Sequence, residues 1–403
     1  MPAFLRALES RNYRIYFAGQ LISLAGTWMQ QIAMVWLAYR LSGSALVLGT
    51  VGFASQIPIL IFGAIGGVIT DRFDKRRLLI TTQALSMVQA LLLAALAWRG
   101  EATTSHLIAL AFGLGCINAL DVPTRQAIAV HLVDNRDDLP NAIALNSFLM
   151  NVARFVGPTL AGFVVALVGE AVCFLLNAAS YLAVLLALLA IRLPADGKRR
   201  PSAPPLQALR EGLSYAAGHP GIRSSLLIVA TTSFLAAPYV VLMPLFAKEI
   251  FGGDARLFGL LVGCAGGGSL LGSLYLAGRQ GTDGLARLVG VAAPATGAAV
   301  ALFALSPGIW MAMPVLVVLG LVIILTVAGS NTLIQTQVDN DFRGRVMALF
   351  TMAFLGIAPL GSFSVGSLAH AFGVRPTLVA CGLLTVAAGL IYRRRSTCPG
   401  ATD

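Results

Sequence analysis

The chain is built from apolar stretches of the length that crosses a lipid bilayer. A spanning helix needs about 20 apolar residues to cover about 30 Å of hydrocarbon. Twelve stretches meet that need. Six lie near residues 13–39, 46–70, 78–98, 106–124, 143–168 and 171–192, and six near 223–247, 257–278, 285–306, 309–334, 346–370 and 375–393. Inside the hydrocarbon layer every backbone polar group must bond within its own segment, so such stretches are restricted to helices. Composition agrees: the chain is 57% hydrophobic and 11% charged, against about 25% charged in soluble domains, and its mean hydropathy is +0.83. A soluble enzyme, a disordered chain and a secreted disulfide scaffold are excluded.

The charge pattern tests the span count. There are 28 Lys and Arg against 17 Asp and Glu, a net +11. With the N-terminus placed in the cytoplasm, 22 of the cations fall on inner segments. Five fall on outer ones (Arg40, Arg99, Lys248, Arg256 and Arg375), and Arg154 lies inside a span. One missed span would invert the bias downstream of it. The reading is a multi-pass membrane protein with both termini cytoplasmic. Contact with anionic lipid headgroups accounts for the positive charge, so no nucleic-acid partner is called for. Arg6, Arg11 and Arg14 precede no short apolar run with a cleavage site, so the first apolar stretch reads as a span and not a removed signal.

The five cysteines (Cys116, Cys173, Cys264, Cys381, Cys398) and four histidines (His106, His131, His219, His370) have no metal-ligand spacing. No disulfide, metal or cofactor is expected. No G-x-x-x-x-G-K-[ST] loop is present, so ATP is not the expected energy source.

One long break interrupts the pattern. Residues 193–222 carry Lys198, Arg199, Arg200, Pro201, Pro204 and Pro205, then a short amphipathic piece over 206–217. This divides the chain into 1–192, a six-helix bundle; 193–222, a cytoplasmic linker; and 223–403, a second six-helix bundle with a basic tail. Gly157-Pro158 in the fifth span and Ala358-Pro359 in the eleventh stand 201 residues apart. Asn118-Ala119-Leu120 and Asn331-Thr332-Leu333 close the fourth and tenth. The expected fold is therefore an all-α integral membrane protein of twelve transmembrane helices in two pseudo-symmetric bundles.

The loop after the second span reads Gly67-Val68-Ile69-Thr70-Asp71-Arg72-Phe73-Asp74-Lys75-Arg76-Arg77. It resembles the loop motif of the major facilitator superfamily, G-x-x-x-D-[RK]-x-G-[RK]-[RK]. Gly67, Asp71, Arg72, Lys75 and Arg76 match, and Asp74 stands where the motif has its second glycine. The resemblance implies that Asp71 and Arg72 take part in a gating latch. A plain positive-inside loop would read the same way. In the fifth span, Ala144, Ala153, Gly157, Pro158, Ala161 and Gly162 resemble that superfamily's antiporter motif, with alanine at three of its glycines. There the motif accompanies export. A small-residue helix interface with a proline kink is the alternative.

Polar residues inside spans carry the remaining signal. Ser147, Asn151 and Arg154 share one helical face, and Arg154 lies about 16 Å from the start of its span, near the midplane. An intramembrane Arg faces a cavity or a partner. A cavity cation would draw an anionic substrate; helix carbonyls and a neighbouring carboxylate would satisfy it equally well. Gln20, Ser23, Thr27 and Gln31 form a polar stripe on the first span, with Trp28 and Gln30 beside it, and Asn331 and Gln335 form a shorter pair on the tenth. The expected substrate cavity comprises Arg154, Asn151, Ser147, Gln20, Thr27, Gln31, Asn331 and Gln335. Phe234, Phe350 and Phe354 are candidates for an apolar wall, though aromatics at such positions are commonly helix packing. Asn118, Asp121 and Arg125 share a face at the end of the fourth span, where Pro123 is expected to stop the helix. Asp121 is the one carboxylate expected inside a span. It reads as a partner of Arg72 or Arg125 in the latch, or as a proton carrier.

Further phrases narrow the resemblance: Trp28-Met29-Gln30, Leu41-Ser42-Gly43-Ser44, Asn118 through Gln126, Asn146 through Pro158, Leu176 through Ser180 and Phe342 through Ala348. Together they resemble the enterobactin-exporter branch of the superfamily, the transmembrane secretion effector group. That implies a bacterial cytoplasmic (inner) membrane and a secondary exporter of siderophores or drugs working by alternating access; a polar wall with Arg154 against an apolar wall suits a small amphipathic anion. Protons are the expected antiported ion and a monomer the expected state. An uptake symporter of the same fold is the alternative; a membrane enzyme or sensor would need a nucleophile–base set that the spans lack.

Overall fold

Helices fill the computed structural model, which describes residues 3–129, 132–133, 135, 138–191, 205–279 and 281–397. The linker residues Lys198, Arg199, Arg200, Pro201 and Pro204 lie outside the described residues, as do Arg136, His131 and Cys398. A short 3-10 helix, Ala3–Glu9, precedes α1 (Arg11–Ser42), α2 (Ala45–Arg72), α3 (Lys75–Arg99), α4 (Thr104–Ala129), α5 (Leu139–Val168) and α6 (Glu170–Ala190). After the linker come the amphipathic α7 (Pro205–Gly218), then α8 (Pro220–Thr231) and α9 (Tyr239–Leu245), joined and followed by π-helical turns at Thr232–Ala236 and Phe246–Ile250. The remainder are α10 (Ala255–Ala277), α11 (Leu285–Leu305), α12 (Ile309–Gln337), α13 (Arg343–Thr351), a π-helical turn at Met352–Gly356, α14 (Ala358–Phe372) and α15 (Val374–Thr397). No strand occurs among the described residues. Twelve helices among them are long and apolar enough to cross a membrane, the seventh being Pro220–Ile250 and the eleventh Arg343–Phe372.

Proline shapes several of these spans without ending them. Pro123 lies inside α4, contrary to the expectation that it stops the helix. A proline leaves the carbonyl four residues back without its amide donor. Here that carbonyl belongs to Ala119, and Gly66 of α2 packs onto it so closely that a Cβ at Gly66 would fall 2.0 Å from the oxygen. The helix continues because a glycine backbone covers the exposed carbonyl, a recurring Cα–H contact at helix crossings. Pro238 repeats the device: it frees the carbonyl of Phe234, and Gly361 of α14 covers it, a Cβ there falling 2.3 Å from the oxygen. The π-helical turn at Thr232–Ala236 absorbs the mismatch, with Ala237 N–H donating to the Thr232 carbonyl at 2.9 Å.

The chain divides into two compact units. The first comprises Met1–Ser42, Ile57–Arg200 and Asp254–Gly263; the second comprises Gly43–Gln56, Pro201–Gly253 and Cys264–Asp403.

In the first unit, Tyr13, Tyr16, Leu79, Ile128, Leu145, Val184 and Leu188 form a core into which the 3-10 helix inserts Ala7. That short helix is tied down by Ala7 N–H to Asn141 Oδ1 at 2.9 Å and by Arg6 to Asp138 at 3.0 Å. Gly162 of α5 crosses Gly259 at the start of α10, and Trp36 stacks on Phe258 with ring centroids 5.8 Å apart.

In the second unit, α7 is clasped to the turn between α12 and α13. Tyr215 is sandwiched between His219 and Phe342, at 4.0 and 4.4 Å, and its hydroxyl donates to Asp339 Oδ2 at 3.0 Å. Glu211 pairs with Arg345 at 3.1 Å. Ala216 joins Ile222, Ile334, Val346 and Phe350 in one apolar cluster.

Candidate functional site

The polar side chains expected inside the spans gather mainly in the first unit, in three neighbouring groups.

The first group surrounds Asp121, which is 1% exposed. Its Oδ1 accepts from Thr82 Oγ1 at 2.8 Å and from Gln83 Nε2 at 2.7 Å, both on α3. Its Oδ2 is bonded to Arg125, one helical turn on. Arg125 Nη1 in turn donates to Gln20 Oε1 of α1 at 2.9 Å. The sequence left Arg72 and Arg125 as alternative partners for Asp121, and Arg125 is the partner here. Three donors, one of them a guanidinium, match the acceptor oxygens of a carboxylate. Removing Arg125 would strand the Asp121 carboxylate in a dry interior.

The second group is a chain of amides. Asn177 Nδ2 of α6 donates to Gln30 Oε1 of α1 at 2.8 Å, and Gln30 Nε2 donates to Gln89 Oε1 of α3 at 2.9 Å. Gln89 Nε2 ends the chain on the Leu110 carbonyl of α4 at 3.2 Å. Tyr181 is hydrogen-bonded to Thr27 and Asn177. Gln30, Gln89 and Asn177 are all at most 5% exposed.

The third group lies where α1 meets α5. The Arg154 guanidinium sits over the Trp28 ring, 5.3 Å from its centroid. Gly157, one turn beyond Arg154, lets the helices approach: a Cβ there would lie 2.6 Å from Trp28 Cβ. Pro158 is buried in the same stretch of α5. The pair is half-buried, with exposed Gln31 on the next turn of α1. A fixed cation beside an indole face is a recognition element for an anion that carries a ring or an apolar body.

Other expected cavity residues are less engaged. Ser147 is exposed and its hydroxyl donates to the Ile143 carbonyl at 2.9 Å; Asn151 donates to the Ser147 carbonyl at 2.9 Å. Thr27 Oγ1 donates to the Ser23 carbonyl at 2.9 Å. In the second unit Gln335 Nε2 donates to Asn331 Oδ1 at 2.8 Å on the face of α12. Phe350 and Phe354 stack on each other at 6.2 Å, which is helix packing.

Of the expected latch residues, Gly67 would meet no heavy atom within 4 Å if it carried a Cβ, whereas its neighbour Gly66 makes the close crossing with α4. Arg72 is exposed and Lys75 opens α3 half-buried. Arg76 caps the end of α6, donating to the carbonyls of Leu188 at 2.7 Å and Leu189 at 2.9 Å. The side chain of Asp71 lies outside the described residues. Asp74 explains how the chain turns without the motif's second glycine. It is extended at φ −61°, ψ 114°, and its side chain accepts from Arg77 N–H at 2.7 Å, an N-cap on α3.

Sequence reasoning missed the inner face of α3. Thr82, Ser86 and Gln89 stand at i, i+4 and i+7 and are buried, as is Gln83. That spacing was the available signal. It also placed two carboxylates too few in the spans: Glu249 lies at the end of the seventh, Pro220–Ile250, and α6 begins at Glu170, which is 7% exposed and paired with Arg40 at 3.0 Å. Among the described residues no cluster of three or more His, Cys, Asp or Glu is arranged to hold a metal.

The chain is 27% identical over 386 residues to the staphyloferrin A transporter of Staphylococcus aureus, covering 94% of this chain and 95% of that one. It is 28% identical over 407 residues to the multidrug efflux pump Tap of Mycobacterium tuberculosis, covering 98% and 93%. It is 22% identical over 395 residues to macrolide efflux protein A of Streptococcus pyogenes, covering 94% and 96%. Among solved structures, a POT family transporter in complex with 5-aminolevulinic acid superposes with a TM-score of 0.77 at 12% identity, covering 98% and 97% of the two chains. A bacterial homologue of the lysosomal transporter Spinster does so with a TM-score of 0.71 at 16% identity, covering 96% and 97%. These show the fold: two six-helix halves of the major facilitator type. The family model described as transmembrane secretion effector matches residues 4–401, and the chain, a multi-pass membrane transporter and not an enzyme, belongs to that family.

Proposed function

We propose that this protein is a secondary exporter that moves a small amphipathic anion, of the siderophore or drug class, out of the bacterial cytoplasm in exchange for protons. Both termini face the cytoplasm in this reading, the protein acts as a monomer, and anionic lipid surrounds its basic inner segments. The observation that carries it is Arg154 over Trp28, a cation and an aromatic face side by side at mid-depth of α5 and α1. An anionic group of the substrate meets the guanidinium while its apolar body lies along the indole. Ser147, Asn151, Thr27 and Gln31 supply further polar contacts on the same two helices.

The efflux names borne by two of the relatives support the export direction, and the staphyloferrin A named in a third supports the siderophore class. The small residues around Gly157, Pro158 and Gly162 support antiport by their likeness to the antiporter motif. Asp71, Arg72, Asp121 and Arg125 are the gating residues in this account.

Fluorescein, an aromatic anion with an optical readout, tests it. Inside-out membrane vesicles containing the protein and acidified within should accumulate fluorescein, and Arg154→Ala should abolish the accumulation. Equal uptake by the wild type and Arg154→Ala would refute the site.

A further inference from the structure

The amide chain Asn177–Gln30–Gln89 belongs to no part of the transport reading above, yet it is hydrogen-bonded from end to end and almost fully buried. We infer that Gln30 and its two amide partners are positioning residues: they fix the rotation of α1 about its own axis, and so aim Trp28 at Arg154. The inference rests on the proposed role of that pair, but its first readout does not.

Apolar packing alone leaves the rotation of α1 undecided. Between lipid-embedded helices, water exclusion gives no preference for one azimuth over another. The ends of α1 are held by Gln20 to Arg125 and by Arg40 to Glu170, whereas its middle, which carries Trp28, meets α5 and α6 largely through small and apolar groups. Toward α6 it presents Gly19 and Gly26; toward α5 it presents Leu24, Ala25 and Trp28, with Leu24 beside Leu149 and Ala153. Those crossings are close, and a hydrogen bond in hydrocarbon adds direction to them, because a displaced amide finds no water to take its place.

The chain has direction as well as saturation. Each amide donates onward: Asn177 to Gln30 at 2.8 Å, Gln30 to Gln89 at 2.9 Å, Gln89 to the Leu110 carbonyl at 3.2 Å. Four helices (α6, α1, α3 and α4) are therefore tied through one side chain of α1. Ser180 completes the α6 end, donating to Asn177 Oδ1 at 3.0 Å. It also explains Gly26, where a Cβ would fall 2.5 Å from Ser180 Oγ and 2.7 Å from Asn177 Oδ1.

Gln30 and Trp28 are two residues apart, about 200° around the helix. They point to opposite sides, one into the α3–α6 interior and one toward α5. Rotating α1 by a single residue position, about 100°, would break the amide chain and carry Trp28 off the Arg154 guanidinium together.

The test separates aiming from folding. Gln30→Leu alone leaves Asn177 and Gln89 with unmet polar groups and should lower the thermal midpoint of the detergent-solubilised protein. The triple variant Gln30→Leu/Gln89→Leu/Asn177→Leu replaces all three amides with apolar groups of similar size, a change that is near neutral because Ser180 keeps its bond to the Asn177 backbone carbonyl and Tyr181 keeps Thr27. Its midpoint should return toward that of the parent. Rotation is read without any ligand from a cysteine pair, Leu24→Cys/Ala153→Cys, oxidised in the membrane. The cross-link should form in the parent background and fall at least fivefold in the triple variant despite its restored stability. Fluorescein uptake should fall with it.

If stability, cross-linking and uptake all return together, the amides serve folding alone and the inference is overturned. If cross-linking falls while uptake is unchanged, the positioning role stands and Arg154–Trp28 is not the transport site. Should the triple variant fail to fold, Gln89→Met removes two of the three links and keeps the Asn177–Gln30 bond. It should slow cross-linking severalfold, and an unchanged rate overturns the inference.

Discussion

Arg154 holds its guanidinium carbon 5.3 Å from the centre of the Trp28 ring, across the junction of α5 and α1. A cation over an indole is worth about 0.5–2 kcal/mol, more as water is excluded. Arg154→Ala should weaken fluorescein binding to the purified protein about tenfold or more, equivalent to about 1.4 kcal/mol. Trp28→Leu keeps the charge and should cost about two- to fivefold. Fluorescence anisotropy titrations measure both. Tighter binding in either variant would contradict the assignment.

Asp121 and Arg125 make the opposite kind of pair, bonded within α4 and backed by Thr82, Gln83 and Gln20. Asp121→Asn leaves a partly buried guanidinium, 26% exposed, without its carboxylate and should destabilise the protein by about 1–3 kcal/mol. The double change Asp121→Leu/Arg125→Met removes both charges and should recover most of that loss. Thermal unfolding monitored by tryptophan fluorescence reads the difference. An Asp121→Asn protein as stable as the parent would contradict the bonded ion pair.

Gly66 and Gly67 are adjacent in sequence and should behave oppositely. A methyl on Gly66 falls 2.0 Å from the Ala119 carbonyl oxygen, so Gly66→Ala forces α2 from α4 and should cost about 1–3 kcal/mol or beyond. Gly67→Ala meets nothing within 4 Å and should be neutral or stabilising by about 1 kcal/mol. Expression level and thermal midpoint in detergent rank the two. A reversed order would contradict the crossing described for α2 and α4.

At the start of α3, Asp74 caps the helix through Arg77 N–H. Asp74→Ala should cost about 0.5–2 kcal/mol, while Asp74→Gly should cost only a few tenths. Thermal midpoints of the two purified variants give the comparison. The residue that departs from the superfamily motif is then the one whose return to glycine is best tolerated. Equal losses in the two variants would remove the capping explanation.

The twelve spans were legible because apolar length and cation placement depend on one segment at a time. Helix limits moved by a few residues, as where α6 starts at Glu170. Pro123 was misread because the sequence shows the missing amide but not the glycine that covers the freed carbonyl. The polar stripe on α1 was visible, yet its division was not: Gln20 serves Arg125, Gln30 serves the amide chain, and Gln31 remains exposed. Periodicity gives the azimuth of a side chain on its own helix and says nothing of which neighbour stands there. For the same reason the partners on α3, Gln83 and Gln89, were missed although they were spaced for one interior face.

Coupled export is tested most directly by pyranine trapped inside inside-out vesicles that carry the protein and start with an acidic lumen. On adding fluorescein outside, the account predicts a rise in lumenal pH as protons leave in exchange for the entering anion, absent in Arg154→Ala. A fall in lumenal pH on the same addition, with fluorescein entering, would mean that proton and anion travel together and would contradict it.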